Sequence, residues 1–272
     1  MSPPLSRRAL LAAAGATALA GCASGKHDSS ADGGRIAYGS DPSQYGVLAR
    51  PSGTARGLVV LLHGGFWLQQ YGASLMDPIA ADLRRRGYAT WNLEYRRIGS
   101  GGGYPATFAD VASGIEKTRD LGIQAPLTVI GHSAGGHLAV WAASRSERTP
   151  GGKPKVLADT TISLSGVLDL RAAAREQLGN GATVQLMGGT PEVLANDYTW
   201  SDPTQLVPAY GSVSAVHARA DQNVPLTQST TYVNADLAAG GAAGLVTVPG
   251  DHFDLIDPGS AAWAKVVTLL GR

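Results

Sequence analysis

The sequence predicts an α/β protein with a mostly parallel central sheet and helices on both faces. Short apolar runs typical of strands alternate with amphipathic segments of helical period. This alternation favours parallel strands joined by helical crossovers. The run at residues 57–62 is almost continuously apolar, as expected of a central strand covered on both faces. No repeat at a fixed period is visible, which disfavours a solenoid or a propeller.

The elements follow in order from the same pattern. Residues 45–50 are expected to form an edge strand, and the helix at residues 74–86 ends on three arginines before Gly87, which suits a helix carboxyl end. We expect further strands at 57–62, 88–93, 127–130, 160–164, 213–218 and 244–248, and further helices at 107–121, from 134 to about 145, at 226–239 and at 260–270.

Composition limits the class of function. The chain has 272 residues, of which 44% are hydrophobic and 16% charged, so it can bury a sizeable core. We expect one large domain at residues 35–272. The formal net charge is +1, and removal of residues 1–21, which hold two arginines and no acid, gives −1. Neither value provides the basic surplus that nucleic-acid binding requires, so no nucleic-acid partner is expected.

The amino terminus reads as an export signal. Arg7 and Arg8 precede a short apolar run at residues 9–20, too short to span a bilayer, which resembles a twin-arginine signal peptide over residues 1–21. The ending Leu-Ala-Gly-Cys resembles the lipobox of bacterial lipoproteins, in which Cys22 is lipidated. Residues 22–34 are small and polar, typical of a flexible tether. The sequence therefore predicts a lipoprotein on the outer face of the cell membrane.

Cys22 is the only cysteine in the chain, so an intramolecular disulfide and a cysteine-based zinc site are both excluded. The alternative for Cys22 is an incidental small apolar residue. His132 and His137 are five residues apart and do not form a helical zinc pair. We predict no metal and no organic cofactor.

The first chemical motif is Gly-His-Ser-Ala-Gly at residues 131–135, between a predicted strand and a predicted helix. In this position the pattern predicts a nucleophile elbow, a sharp turn that exposes the hydroxyl of Ser133. The N–H of Ala134 can then face an oxyanion at the start of the helix. The alternative is a glycine-rich helix start that Ser133 merely caps.

The second motif is His-Gly-Gly-Phe-Trp at residues 63–67, directly after the central apolar run. The N–H groups of Gly64 and Gly65 can supply further oxyanion donors. His63 is expected to brace this loop by hydrogen bonding. The alternative is a plain turn in which Phe66 and Trp67 belong to the core.

From about residue 57 onward, these two motifs resemble the α/β-hydrolase superfamily. HGGFW together with GHSAGG is most similar to the esterase branch that includes kynurenine formamidases, bacterial feruloyl-esterase-like proteins and relatives of the hormone-sensitive lipases. The last group usually carries a third glycine and an acid where this chain has Phe66 and His132. The departure favours the formamidase-like and feruloyl-esterase-like members.

The resemblance implies a triad in the chain order Ser, Asp, His. His252 follows the last predicted strand and would be the base, and Asp221 follows the preceding strand, two residues before Asn223-Val224-Pro225, and would orient it. Other acids nearby are expected to be loop caps or surface charges: Asp169, Asp251, Asp254 and Asp257.

Residues 170–208 interrupt the alternation of strands and helices and are either a small lid over the pocket or a structural excursion.

The sequence therefore predicts a serine hydrolase, foremost a carboxylesterase that cleaves small or aromatic acyl esters through an acyl-Ser133 intermediate. An arylformamidase-like amidase would use the same residues, and a non-catalytic binding protein on the same fold is the alternative from another class. The expected partners are a small-molecule ester and, through Cys22, the membrane. The oligomeric state is not predicted.

Overall fold

The computed structural model describes residues 33–270. Residues 1–21, Cys22 and most of the expected tether lie outside the described part. Within it, the strands are β1 (Arg35–Ala37), β2 (Tyr45–Ala49), β3 (Leu58–Leu62), β4 (Ala89–Leu93), β5 (Leu127–His132), β6 (Thr160–Leu164), β7 (Ser212–Ala218) and β8 (Gly244–Val248). The helices are α1 (Asp77–Arg85), α2 (Ala106–Glu116), α3 (Ala134–Ala143), α4 (Leu170–Arg175), α5 (Leu178–Met187), α6 (Ala195–Thr199), α7 (Leu226–Ala238) and α8 (Ala261–Val267).

The strands form one sheet in the order β1-β2-β4-β3-β5-β6-β7-β8. β1 and β2 run antiparallel to their neighbours, and all pairs from β4–β3 to β7–β8 are parallel. The predicted α/β fold class is therefore confirmed. The prediction that residues 45–50 form an edge strand is wrong, because β2 lies between β1 and β4 and the three residues of β1 occupy the edge. So short a strand gave too few alternating positions to be detected.

Side chains of β3 alternate between two cores. Val60 and Leu62 pack on the face covered by α2 and α3, whereas Val59 and Leu61 pack on the face covered by α1 and α8. Every residue of β3 is buried. This double burial explains the almost continuous apolar run, because neither face of the strand meets water.

Two of the predicted helices are each divided into an α-helix and a 3₁₀ turn. The stretch at 74–86 divides into a 3₁₀ turn (Ala73–Met76) and α1, and the stretch at 107–121 divides into α2 and a 3₁₀ turn (Lys117–Asp120). Pro78 stands in the first turn of α1, where its missing N–H costs no hydrogen bond. Among residues 33–270, no helix is long and apolar enough to cross a membrane.

The segment at residues 170–208 contains α4, α5, α6 and a 3₁₀ turn (Pro203–Gln205). Its apolar side chains join the core on the α2 and α3 face: Leu170, Ala173, Ala174, Ala182, Leu186, Met187 and Tyr198. Gly179, at the beginning of α5, lies against Phe66, since a Cβ atom there would come within 2.4 Å of the phenyl ring. The segment is thus packed on the domain and reaches the loop after β3.

The turn from β5 to α3 is held by close backbone contacts. A Cβ atom at Gly131 would lie 2.0 Å from the carbonyl oxygen of Gly135, and one at Gly135 would lie 2.1 Å from the carbonyl oxygen of Leu62. Neither position tolerates a side chain without movement of the backbone. The outer glycines of the motif are therefore required by packing as well as by turn geometry.

We predict that Gly131→Ala lowers the free energy of unfolding by about 1 to 3 kcal/mol, the usual cost of forcing extra atoms into a packed site. Gly244→Ala is the matched control, because a Cβ atom at Gly244 meets no described atom within 4 Å beyond its chain neighbours. Urea unfolding followed by circular dichroism measures both variants. Equal stability of the two would contradict the packing argument.

Candidate active site

Ser133 lies at the turn between β5 and α3 in a left-handed conformation, with φ 56° and ψ −119°. A residue with a side chain is strained there, and such strain persists only where the surroundings impose it. The surroundings do so through the Ser133 N–H, which donates to Leu164 O at 2.8 Å, and through the packed glycines on either side. The hydroxyl-bearing side chain is thereby fixed at the carboxyl edge of the sheet.

His252 and Asp221 are brought together from the loops after β8 and β7. His252 Nδ1 lies 2.6 Å from Asp221 Oδ2. Because the carboxylate only accepts, Nδ1 carries a proton, and in the neutral ring Nε2 is then the nitrogen with the free lone pair. His252 lines the same pocket as Ser133. A ring that accepts at Nε2 beside a serine hydroxyl is suited to act as a base.

Asp221 is held as a carboxylate. Its Oδ1 accepts the N–H groups of Asn223 at 2.8 Å and Val224 at 2.9 Å. Burial alone would raise the pKa of Asp221, but the hydrogen bonds from His252 and Val224, together with the Ser165 hydroxyl, lower it from 3.8 to about 2. The negative charge opposite His252 is therefore present throughout the neutral range.

The expected oxyanion donors lie around Ser133. Ala134 begins α3, where the first N–H groups of a helix have no carbonyl of a preceding turn to bond. Gly64 abuts the nucleophile, because a Cβ atom there would lie 2.9 Å from Ser133 Cβ. Gly65 has a φ of 103° and lines the pocket with Ser133. The residues predicted to supply the oxyanion donors therefore lie beside Ser133.

The pocket at this site has a volume of about 150 Å³. Its walls are mainly apolar, and the side chains that form them are Phe66, Tyr71, Leu75, Phe253 and Ile256, joined by His132 and Asn223. Phe253 and Tyr71 remain 58% and 40% exposed, which places aromatic surface at the opening. The lining residues lie outside 170–208, so the expected lid touches the pocket through the contact of Gly179 with Phe66.

The other described histidines are buried and bonded elsewhere. His132 Nε2 donates to His252 O at 2.9 Å, and burial together with the neighbouring His252 lowers its pKa to about 3. His137 bonds Ser201 O at 3.0 Å, and burial lowers its pKa to about 4. His217 bonds Val224 O at 3.0 Å and Ser229 Oγ at 2.8 Å. His132 and His137 therefore stay neutral, and His132 supports the loop that carries His252.

The rival acids cap turns, as predicted. Asp169 caps α4 by accepting Ala172 N–H at 2.8 Å. Asp251 accepts Phe253 N–H at 2.8 Å, and Asp257 accepts Gly259 N–H at 2.9 Å. The Asp254 carboxylate accepts Asp251 N–H at 2.7 Å. Each carboxylate is used by the local backbone, and none of these contacts involves the His252 ring.

Sequence reasoning missed two residues next to the site. Glu94, at the end of β4, is 5% exposed and lies 3.0 Å from His63 Nε2. Ser165, after β6, is fully buried with a φ of 45°, and its hydroxyl helps to lower the pKa of Asp221. An acid at the carboxyl end of a buried strand was a signal for Glu94, since parallel strands bring such ends to one edge. Ser165 carried no comparable signal.

Within residues 33–270, no group of three or more His, Cys, Asp and Glu side chains is arranged to hold a metal ion. Cys22 lies outside the described residues. At this edge of the sheet lie a serine hydroxyl, a histidine bonded to a carboxylate and the first N–H groups of α3.

This sheet order, with its serine turn and histidine loop, is that of an α/β hydrolase. Residues 48–235 match the profile of the BD-FAE family. The chain belongs to the BD-FAE family of α/β-hydrolase esterases. The resemblance to esterases noted in the sequence is thereby confirmed.

Solved structures with similar folds include esterases at low identity. A truncated carbohydrate esterase from gut microbiota is 20% identical with a TM-score of 0.72, covering 86% of this chain and 93% of its own. Esterase B from Lactobacillus rhamnosis is 19% identical with a TM-score of 0.73, and the match covers 87% of this chain and 82% of the esterase. A propionate-bound esterase from Thermogutta terrifontis is 21% identical with a TM-score of 0.68, and the match covers 87% of this chain and 91% of the esterase. No curated protein matches the sequence.

We predict that Asp221 makes stability depend on pH. Because its pKa falls from 3.8 to about 2 on folding, its contribution is present above about pH 4 and is lost as the pH falls toward 2. Asp221→Asn should therefore be less stable than the parent by about 1 to 2 kcal/mol near pH 5, with a smaller difference near pH 3. Urea unfolding between pH 3 and pH 5 measures the difference in free energy of unfolding between the two proteins. A difference that does not change with pH would refute the linkage.

Proposed function

We propose that this protein is an exported, lipid-anchored serine carboxylesterase that cleaves small or aromatic acyl esters. The observation that carries the catalytic proposal is the left-handed Ser133 in one pocket with His252, whose Nδ1 is bonded to Asp221 at 2.6 Å. Asp221, His252 and Ser133 come from separate loops at one edge of the sheet, an arrangement that supports their assignment as a triad. Membership of an esterase family supports the same assignment.

In the proposed reaction, His252 Nε2 takes the proton of Ser133 Oγ as the oxygen attacks the ester carbonyl. The resulting oxyanion is stabilised by the N–H groups of Ala134 and of the Gly64-Gly65 loop. Asp221 keeps the imidazole in the required tautomer and stabilises the imidazolium. His252 then protonates the leaving alcohol, and water, activated by the same ring, releases the acid from the acyl-Ser133 intermediate.

The pocket supports a compact, uncharged acyl group. Its volume is about 150 Å³, and its walls are phenyl, phenol and aliphatic side chains rather than charged ones. Burial of apolar acyl surface against such walls is favourable, whereas a charged acyl chain would be desolvated without a partner. Short aliphatic and single-ring aromatic acids fit this description.

The export and anchoring part rests on the sequence pattern alone. The paired arginines at residues 7 and 8, the apolar run and the Leu-Ala-Gly-Cys ending support a lipidated Cys22. A polar tether at residues 22–34 would hold the esterase domain away from the membrane surface.

We predict that Ser133→Ala and His252→Ala each lower kcat by about 10⁴-fold or more while the fold is kept. Ser212→Ala is the matched control, because Ser212 is exposed at the first residue of β7, away from the pocket. The assay uses p-nitrophenyl acetate, hexanoate and benzoate. Undiminished turnover by a folded Ser133→Ala protein would disprove the mechanism.

Fluorophosphonate labelling separates the alternatives. Labelling of Ser133 without ester turnover would indicate a competent nucleophile with another substrate, and N-formyl aromatic amines would test the amidase alternative. Absence of both labelling and turnover would favour a non-catalytic binding protein.

We also predict that Cys22→Ser moves the protein from the membrane fraction to the soluble fraction without changing esterase activity. Ala23→Ser, which keeps Cys22, should stay in the membrane fraction. Cell fractionation followed by immunoblotting measures both variants. Membrane attachment of Cys22→Ser would rule out lipidation at this residue as the anchor.

A further inference from the structure

Both ring nitrogens of His63 face hydrogen-bond acceptors. Nδ1 lies 2.8 Å from Gly64 O, and Nε2 lies 3.0 Å from Glu94 Oε1. A neutral imidazole carries one N–H and can donate only one of these bonds, whereas the imidazolium donates both. The ring is fully buried, so water does not take the place of either partner. The geometry therefore requires a second proton, from the ring or from Glu94.

Glu94 is not the source of that proton. Its Oε2 accepts Ala73 N–H at 3.0 Å, its Oε1 accepts Tyr95 N–H at 3.0 Å, and Arg97 lies 3.4 Å from Oε1. Burial raises the pKa of Glu94, whereas its hydrogen bonds lower it; apart from the bond with His63, two backbone N–H groups and the Arg97 guanidinium face the carboxylate and favour its charged form. A carboxylate in this setting is an acceptor only.

Tyr95 favours the charged ring from a second direction. Its ring stacks on His63 with centroids 4.3 Å apart and an angle of 6° between the planes. The face of an aromatic ring attracts a cation. Burial raises the pKa of Tyr95 far above its usual value, so the phenol stays neutral, and its hydroxyl donates to His63 O at 2.7 Å. His132 also lies close to Gly64, since its Nδ1 would be 3.0 Å from a Cβ atom there, and it is neutral because burial lowers its pKa to about 3.

We propose that His63 is an imidazolium paired with Glu94, and that this buried ion pair positions the oxyanion hole. The bond from Nδ1 fixes the Gly64 carbonyl. The N–H of Gly65 belongs to the same planar, trans peptide unit and points the opposite way, so fixing the carbonyl also fixes the donor. Gly65 lines the pocket with Ser133. The catalytic part of the inference rests on the proposed esterase function, and the charge part does not.

The loop needs such a restraint. Gly65, Phe66 and Trp67 are consecutive left-handed residues, with φ values of 103°, 49° and 58°. Two of them carry side chains and are strained in this region, so the conformation persists only if its surroundings hold it. The ion pair at His63, two residues before Gly65, joins the loop to Glu94, the residue that follows β4.

The charge is tested by long-range ¹H–¹⁵N correlation spectra of the whole protein near pH 7.5, with the His63 signals assigned from a His63→Gln spectrum. We expect both ring nitrogens of His63 to be protonated in the wild type. In Glu94→Gln, the amide can donate to Nε2, and we expect one protonated nitrogen. A non-protonated nitrogen in the wild-type ring would overturn the proposal, whether or not Glu94→Gln folds.

The positioning effect is tested with a matched pair of variants. The amide nitrogen of asparagine takes the place of Nδ1, and that of glutamine takes the place of Nε2. We expect His63→Gln, which loses the bond to Gly64, to lower kcat on p-nitrophenyl acetate by about 10- to 100-fold with KM unchanged, because the donor acts in the transition state. His63→Asn should recover most of the loss. Equal kcat in both variants and the wild type would overturn the positioning effect.

Trp91→Phe controls for a general loss of stability. It removes a buried hydrogen bond of 2.9 Å to Gly114 O, away from the pocket, and should leave kcat unchanged.

The spectra and the turnover measurements together distinguish failure of the ion pair from failure of the proposed function. Ser133-dependent turnover with a neutral His63 would keep the esterase and reject the ion pair. Absence of turnover in the wild type would reject the esterase, while the spectra still decide the charge.

Discussion

The close approach of the turn after β5 to the end of β3 is the constraint on which the site depends. Gly135 lies against the carbonyl oxygens of Leu62 and His63, and Gly64 lies against Ser133, at distances that leave no room for a side chain. This contact holds the serine in its left-handed conformation and brings the Gly64 loop beside it. Strain at Ser133 is tolerated because parallel strands on both sides of β5 fix the ends of the turn.

The buried histidines differ in their hydrogen-bond partners, and the partners determine the role of each ring. Among the described residues, His132 and His137 each bond a backbone carbonyl, and burial keeps both rings neutral. His63 has an acid but lies inside the oxyanion loop, with both nitrogens occupied. His252 combines a carboxylate at Nδ1 with a place in the pocket wall. Histidine thus has three different roles in this protein, and the number and charge of the groups bonded to each ring determine its role.

The pocket belongs to the loops at the carboxyl ends of the strands. Phe66 follows β3, Asn223 follows β7, and Phe253 follows β8. Within residues 170–208, Gly179 contacts Phe66 of this wall, and the buried apolar side chains pack on the core. Acyl selectivity is therefore expected to respond first to the aromatic side chains at the opening, and to the helical segment through its contact with Phe66.

The sequence by itself determined the alternation of strands and helices, the serine turn and the glycine loop, because periodicity and short motifs are local properties of the chain. It located His252 and Asp221 by their order along a known fold. It did not reveal β1, whose three residues are too few to show a period, nor the bonds of Glu94 and Ser165. Those residues acquire their function by contact with residues distant in the chain: His63 is 31 positions from Glu94. Only the tertiary structure decided these pairings, since burial and the direction of a hydrogen bond depend on neighbours that sequence spacing does not specify.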